Sequence, residues 1–152
     1  MGEASGATTR EAHNKEVVKR YFREVLDGKR IDLMPELIRE DAVLHRPGFD
    51  VIGLAAAMTR LTATLADFVS FSSEVAGVIA EGDRVSVRIA HRTRVRPHTF
   101  RSRAGEVAVC EEQALDWTAM VQFRFEDGKI AEEWVNRDEL GMLMQLGGIK
   151  TT

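Results

Sequence analysis

The chain has 152 residues, a net charge of −3 and one cysteine, with acids and bases interleaved along most of its length. That length suits a single domain with room for a core and an internal cavity. The charge balance gives no support for nucleic-acid binding or a polybasic membrane contact. A lone thiol excludes an intrachain disulfide and fits a reducing compartment. No apolar run approaches the ~20 residues of a membrane span, and the first fifteen residues lack an apolar signal core, so a cytoplasmic protein is expected.

Residues 1–8 are small and polar and read as a disordered tail, leaving 9–147 as one domain and 148–152 as a C-terminal tail. Thr8 and Glu11 have capping-box spacing. Behind them Val17, Val18, Tyr21, Phe22, Val25 and Leu26 recur at helical intervals and Gly28 is a natural stop, which predicts a helix over 9–27. A short helical piece over 33–39 follows, then a strand over 42–46 broken at Pro47-Gly48. Leu54, Met58, Leu61, Leu65 and Phe68 mark one face of a helix over 53–67. The period then changes to two. Phe71, Ser73, Val75, Gly77 and Ile79 alternate, Glu81-Gly82-Asp83 turns the chain, and Val85, Val87, Ile89, His91, Thr93 and Val95 alternate with a basic face of Arg88, Arg92, Arg94 and Arg96. Residues 97–106 read as a long hairpin loop. Strands follow over 107–125 and 129–136, joined by Glu126-Asp127-Gly128. Helices first and a long antiparallel sheet after is an α+β order.

A helix-covered sheet that curls can enclose a pocket, and residues facing it share parity along each strand. Two turns are open at 126–128. A three-residue loop ending in a left-handed Gly128 pairs Phe125 with Lys129 and puts Met120, Gln122 and Arg124 on one face with Ile130, Glu132 and Trp134. A two-residue turn brings Glu133 to that face instead and moves Gln122 away from Trp134. Glycine in third place favours the first. Continued alternation points Asn136 and Asp138 inward, and His91 shares a face with Val85, Val87 and Ile89. The expected concave face is therefore apolar, with Gln122, Arg124, Glu132, Asp138 and His91 set into it, the make-up of a small-molecule pocket. No His or Cys pair has metal-ligand spacing and no glycine-rich nucleotide loop occurs, so neither a metal nor a nucleotide is expected.

The closing segment FEDGKIAEEWVNRDELGMLMQLG combines Gly-Lys-Ile, Glu-x-Trp-x-x-x-Asp and Gln-Leu-Gly. It resembles the SnoaL-like polyketide cyclases, as do EGDRVSVRIAH, NKEVVKRYFREVLDGKRIDLMPELI and LHRPG, so the resemblance covers most of 14–147. It implies the cone-shaped α+β barrel of the nuclear-transport-factor-two superfamily, with N-terminal helices packed on a curved antiparallel sheet around a pocket. It also implies a homodimer or homotetramer, no cofactor, and a polyketide-derived small-molecule substrate of secondary metabolism such as antibiotic biosynthesis. In site residues it implies Asp138 as acid/base, Gln122 and Arg124 against the substrate, and His45 as the early His-x-Pro histidine. The Thr-His that many relatives carry late in the third-last strand falls nearest Val95 here, with His91 earlier on the same face. Segment 96–106 is longer and more basic than the family pattern.

Most of these residues have a structural alternative. Asp138 can cap a helix over 139–145. Arg124 can pair with Glu132 across the hairpin. Trp134 is expected as pocket wall and core anchor. His45 is open between surface and pocket, and Tyr21 between core and a hydroxyl reaching the cavity. Cys110 is expected as a small buried hydrophobe, and His13 and His98 as exposed. Three functions follow. The first is an intramolecular aldol-type cyclase in which Asp138 moves the proton while Gln122, Arg124 and His45 or His91 hold the enolate oxygen. The second is a cofactor-independent hydroxylase or epoxide-opening enzyme, motivated by the His/Arg pattern of 88–101 and by Asp138 and Glu132 beside Arg124. The third is a non-catalytic binder or accessory protein.

Overall fold

The computed structural model describes residues 2–150, and the side chains of 9–150. Helix α1 (Gly2–Arg20) runs directly into a π-helical segment, Tyr21–Asp27. The helix thus begins well before the expected position 9; Met1 and 151–152 of the expected tails lie outside the described residues. The capping-box spacing does not mark a helix start, because Glu11 is already inside α1 and its Oε1 accepts the Gly82 N–H at 2.9 Å. The wider winding after Arg20 keeps Tyr21, Phe22, Val25 and Leu26 all buried against the sheet. Its last bond is Gly28 N–H to Arg23 O, five residues back, at 3.1 Å. A Cβ on Gly28 would lie 2.6 Å from Glu24 O, so a close approach, not a left-handed turn, calls for glycine there; the left-handed residue is Lys29, with φ 53°.

A 3-10 turn (Ile31–Leu33) and a single turn of helix, α2 (Met34–Leu37), lead into strand β1 (Ile38–Arg46), which starts earlier than expected because Ile38 is buried. Strand β2 (Phe49–Ile52), α3 (Leu54–Ala66), β3 (Phe68–Glu81) and β4 (Arg84–Val95) follow. The expected loop over 97–106 is instead mostly a hairpin, β5 (His98–Ser102) and β6 (Gly105–Val109), forming its own two-stranded sheet. Phe100 and Val109 are what fold it. They bury with Val95, Leu115, Met142 and Leu143 in a second core cluster. Strands β7 (Gln113–Glu126) and β8 (Lys129–Arg137) and helix α4 (Glu139–Gln145) close the chain.

The six-stranded sheet has the order β2-β1-β8-β7-β4-β3. It is mixed, since β1 and β8 run parallel, and it is not closed, so the expected antiparallel barrel is an open sheet. The α+β class holds. Its buried face carries Val85, Val87, Ile89 and Phe123 against Tyr21, Phe22, Val25 and Leu26 of the π-helical segment. Tyr21 and Phe22 both meet Phe123 edge-on, with ring centroids 6.2 Å apart.

The β7–β8 turn decides which polar residues share this face. Asp127 (φ 52°) and Gly128 (φ 76°) are both left-handed, which is a two-residue hairpin turn, and Glu126 pairs with Lys129. One residue later the register shifts: Phe125 pairs with Ile130 but Arg124 with Glu132. Gln122 therefore does sit opposite Trp134, yet both belong to the outer face, while Phe123 and Glu133 point to the core.

Candidate active site

Strand register maps the concave face in rows. Val85, Phe123, Glu133 and Leu44 are neighbours across β4, β7, β8 and β1. Farther along the strands, Ala119 faces Arg137 and Trp117 faces His91. The π-helical segment, α3 and the β5–β6 hairpin cover this face and leave a cavity of about 300 Å³. Most of its wall is apolar, and its polar groups include two clusters on or against the sheet.

The first cluster is Tyr21, Arg46 and Glu133, all lining the cavity. Glu133 is only 3% exposed. Arg46 answers its charge twice, Nη1 to Oε1 and Nη2 to Oε2, each at 3.4 Å. Tyr21 lies beside them. Burial, reinforced by the Glu133 charge, drives its hydroxyl pKa well up, so it stays neutral.

The second cluster centres on His91, 6% exposed and boxed by Trp117, Phe71 and Phe22 at centroid distances of 4.9, 5.1 and 6.1 Å. Its Nδ1 is 2.9 Å from Ser73 Oγ. Ser73 in turn donates its hydroxyl to Asp27 Oδ1 at 2.7 Å and its N–H to Asp27 Oδ2 at 2.9 Å. With that hydroxyl proton committed, the Ser73 oxygen accepts from His91 Nδ1–H, and the lone pair falls on Nε2. Nε2 has no hydrogen-bond partner among the described residues and is open to the cavity. Burial, then the Arg137 charge, lowers the His91 pKa to about 4, so the ring is neutral near pH 7.

Two more guanidiniums line the cavity nearby. Arg137 is held by Glu139, whose Oε1 accepts from Nε at 3.2 Å and Nη2 at 3.0 Å. Arg60, on α3, lies over the Phe49 ring at 4.0 Å. Burial and the charges of Arg46 and Arg137 lower its pKa.

Of the residues singled out in the sequence, His91 and Tyr21 reach the cavity. His45, Gln122, Arg124 and Trp134 do not; they form a network on the opposite face of the sheet. There His45 bonds Glu132 Oε2 at 2.7 Å through Nε2 and Asp50 Oδ1 at 2.9 Å through Nδ1, and stacks on Trp134 with ring centroids 5.3 Å apart. Arg124 Nε donates to Glu132 Oε1 at 3.1 Å, and Gln122 Nε2 to Ser86 Oγ at 3.3 Å. The Glu132 hydrogen bond raises the His45 pKa and lowers that of Glu132. These residues contribute to the structure of the sheet's outer face. Cys110 is exposed rather than buried, and His98 is half-buried and lines the cavity.

Asp138 also stands outside the cavity lining. It is the N-cap of α4, exposed, with Oδ1 accepting the Gly141 N–H at 2.9 Å, and a Cβ on Gly141 would run into its carboxylate. A cap of this kind is worth about 1 kcal/mol. Asp138→Ala is therefore expected to lower stability in urea by about that amount and to leave turnover near wild type. A hundredfold loss of kcat at unchanged stability would return the acid/base role to Asp138.

The residues that sequence reasoning passed over are Glu133, Arg46, Arg60 and Arg137. Glu133 reaches the cavity because the bulge between Arg124 and Phe125 sets it opposite Phe123; a two-residue turn without that bulge would set Glu132 there.

An α+β domain with a helix-covered sheet around a mostly apolar cavity has the architecture of a small-molecule pocket. The family model of the SnoaL-like polyketide cyclases matches residues 16–146, and the chain belongs to that family. No curated protein matches it. Among solved structures it is similar to a proposed SnoaL-like polyketide cyclase from Jannaschia sp. CCS1, with 21% identity over 92% of this chain and 95% of the other and a TM-score of 0.77. An LEH-like epoxide hydrolase from M. tuberculosis superposes with 16% identity over 91% and 92% of the two chains and a TM-score of 0.71. AclR, a proposed hydroxylase from Streptomyces galilaeus, does so with 23% identity over 95% and 99% and a TM-score of 0.67. At these identities the likeness is one of fold, and the fold hosts more than one chemistry.

Proposed function

We propose that the protein is a cofactor-independent enzyme that closes a ring in a polyketide-like substrate by moving a single proton. The observation that carries this reading is His91: a neutral imidazole with its Nδ1–H tied to Ser73 and its Nε2 open to an apolar cavity. Nε2 takes a proton from a carbon lying next to a carbonyl, and the enolate oxygen accepts hydrogen bonds from Arg46 or Arg137. The enolate carbon attacks a second carbonyl of the same molecule, and the new alkoxide takes the proton back from His91. Mass is unchanged by this sequence. A base with so low a pKa suits a carbon acid flanked by two carbonyls, whose proton is loose enough for imidazole to remove. The apolar wall, with Phe22, Phe71 and Trp117 around His91, folds the chain for closure.

The proposal includes a cytoplasmic homodimer, which would cover Met120 and Ile79 on the outer sheet face, 56% and 74% exposed. The test of function is incubation of the purified protein, without added cofactor, with aryl 1,3-diketone esters, followed by accurate-mass chromatography. A cyclic product of unchanged mass supports the reading. A gain of water would move it to epoxide opening, a gain of one oxygen to hydroxylation, and binding without a product to a non-catalytic role.

A further inference from the structure

The charge around the cavity is lopsided. Four arginines line it, Arg46, Arg60, Arg101 and Arg137, against two acids, Glu133 and Asp67. Three of the four are already matched: Arg46 by Glu133, Arg101 by Glu106 and Arg137 by Glu139. Arg60 has no ion pair among the described residues. Asp67 does not serve it, since the charges that bear on Arg60 are those of Arg46 and Arg137, both repulsive. Exposed at the rim of the cavity, its guanidinium lies over the Phe49 ring, 4.0 Å from the centroid. Stacking of this kind engages the flat face of a guanidinium and leaves its N–H edges free, which is the side that matches a carboxylate in a two-point contact.

We infer that the substrate is a free carboxylic acid, whose carboxylate is bound by Arg60 while its apolar body lies in the cavity toward His91. This rests on the reading of the cavity as the substrate site, and it narrows that reading from polyketide-like compounds in general to anionic ones. An anion at Arg60 removes the repulsion from Arg46 and Arg137 without taking either from its own acid. The geometry also separates two tasks. Arg60 anchors a charge present before and after reaction, whereas the Arg137 charge bears on His91, where charge appears only during it. Uniform binding of this kind affects KM, not kcat.

The test uses 2-naphthoate and its neutral isostere 2-naphthamide as probes, titrated calorimetrically into wild-type protein, Arg60→Gln and the outer-face control Arg92→Gln. Naphthoate is expected to bind wild type and Arg92→Gln more tightly than naphthamide does. In Arg60→Gln that preference falls roughly tenfold or more, as for loss of a charge-assisted hydrogen bond, with naphthamide binding unchanged. Equal affinities in wild type, a preference that survives Arg60→Gln, or binding of neither probe overturns the assignment. The outcome is separable from the proposed reaction. Esters turned over while acids fail to bind would sink the acid assignment and keep the cyclase reading; Arg60-dependent acid binding with no turnover of any diketone would do the reverse.

Discussion

Replacing His91 by glutamine is expected to lower kcat by about 10²–10⁴-fold, the usual contribution of a positioned general base, with substrate affinity largely kept. Glutamine can keep a hydrogen bond to Ser73 Oγ from its amide but offers no basic lone pair to the cavity. The pH profile provides a sharper test than the loss itself. His91 must be neutral to accept a proton, so the acidic limb of kcat/KM is expected near the pKa of about 4 that burial and Arg137 impose, rather than near the ordinary 6.5. Folding is linked to the same proton. Because the folded pKa lies below the unfolded one, the unfolded chain binds more protons between them, and stability rises with pH across that window. The contribution of His91 is complete above about 6.5 and is lost as pH falls toward about 4. A gap of that size corresponds to roughly 3 kcal/mol. Urea titrations of wild type and His91→Gln from pH 4 to 7 should show this slope in the first and not in the second. A wild-type limb at the ordinary histidine pKa, or a variant with unchanged kcat, would remove His91 from the chemistry.

Periodicity in the sequence located α3, the alternating strands around Gly82 and the inward face of β4, and with that face came His91. It failed at the β4–β7 register, which the long connection between those strands leaves unset. The bulge between Arg124 and Phe125 keeps Gln122, Arg124, Glu132 and Trp134 on one face, as expected, but Ser86 pairs with Gln122 and Val85 with Phe123, which makes that face the outer one. Glu133 and Arg137 went in; Glu132 and Trp134 went out. His45 and Gln122 went out with them, because β1 pairs with β8 through His45 and Trp134, and β7 through Gln122 and Trp134. Asp138 follows the last strand residue, where alternation no longer applies and the α4 N-terminus claims its carboxylate. The π-helical winding at Tyr21–Asp27 was equally hidden, since buried residues at positions 21, 22, 25 and 26 fit an α-helical stripe as well. The hairpin at 98–109 was masked by its polar residues, and only Phe100, Val107 and Val109 hinted at a buried side.

Arg46→Met is expected to destabilise the fold by about 3 kcal/mol, because it leaves a carboxylate that is 4% exposed without its counter-charge. Arg46 itself is 21% exposed along the cavity, so some solvation reaches the pair and places the effect toward the lower end of what breaking a buried ion pair costs. In a domain of this length that is a fall in Tm of about 10 °C. The double variant Arg46→Met/Glu133→Leu removes the stranded charge and should recover most of the loss, since an apolar pair of similar volume often replaces a buried ion pair at little cost. The two sites are in contact, so their effects should be strongly non-additive, with a coupling of at least 1 kcal/mol in urea denaturation. Activity should behave differently. The double variant regains the fold but not the guanidinium facing the cavity, so kcat stays low while Tm returns. Additive losses in stability would mean that Arg46 and Glu133 do not act as a pair. Recovery of kcat along with Tm would mean that the cavity needs them only for folding, and would leave the enolate oxygen to Arg137 alone.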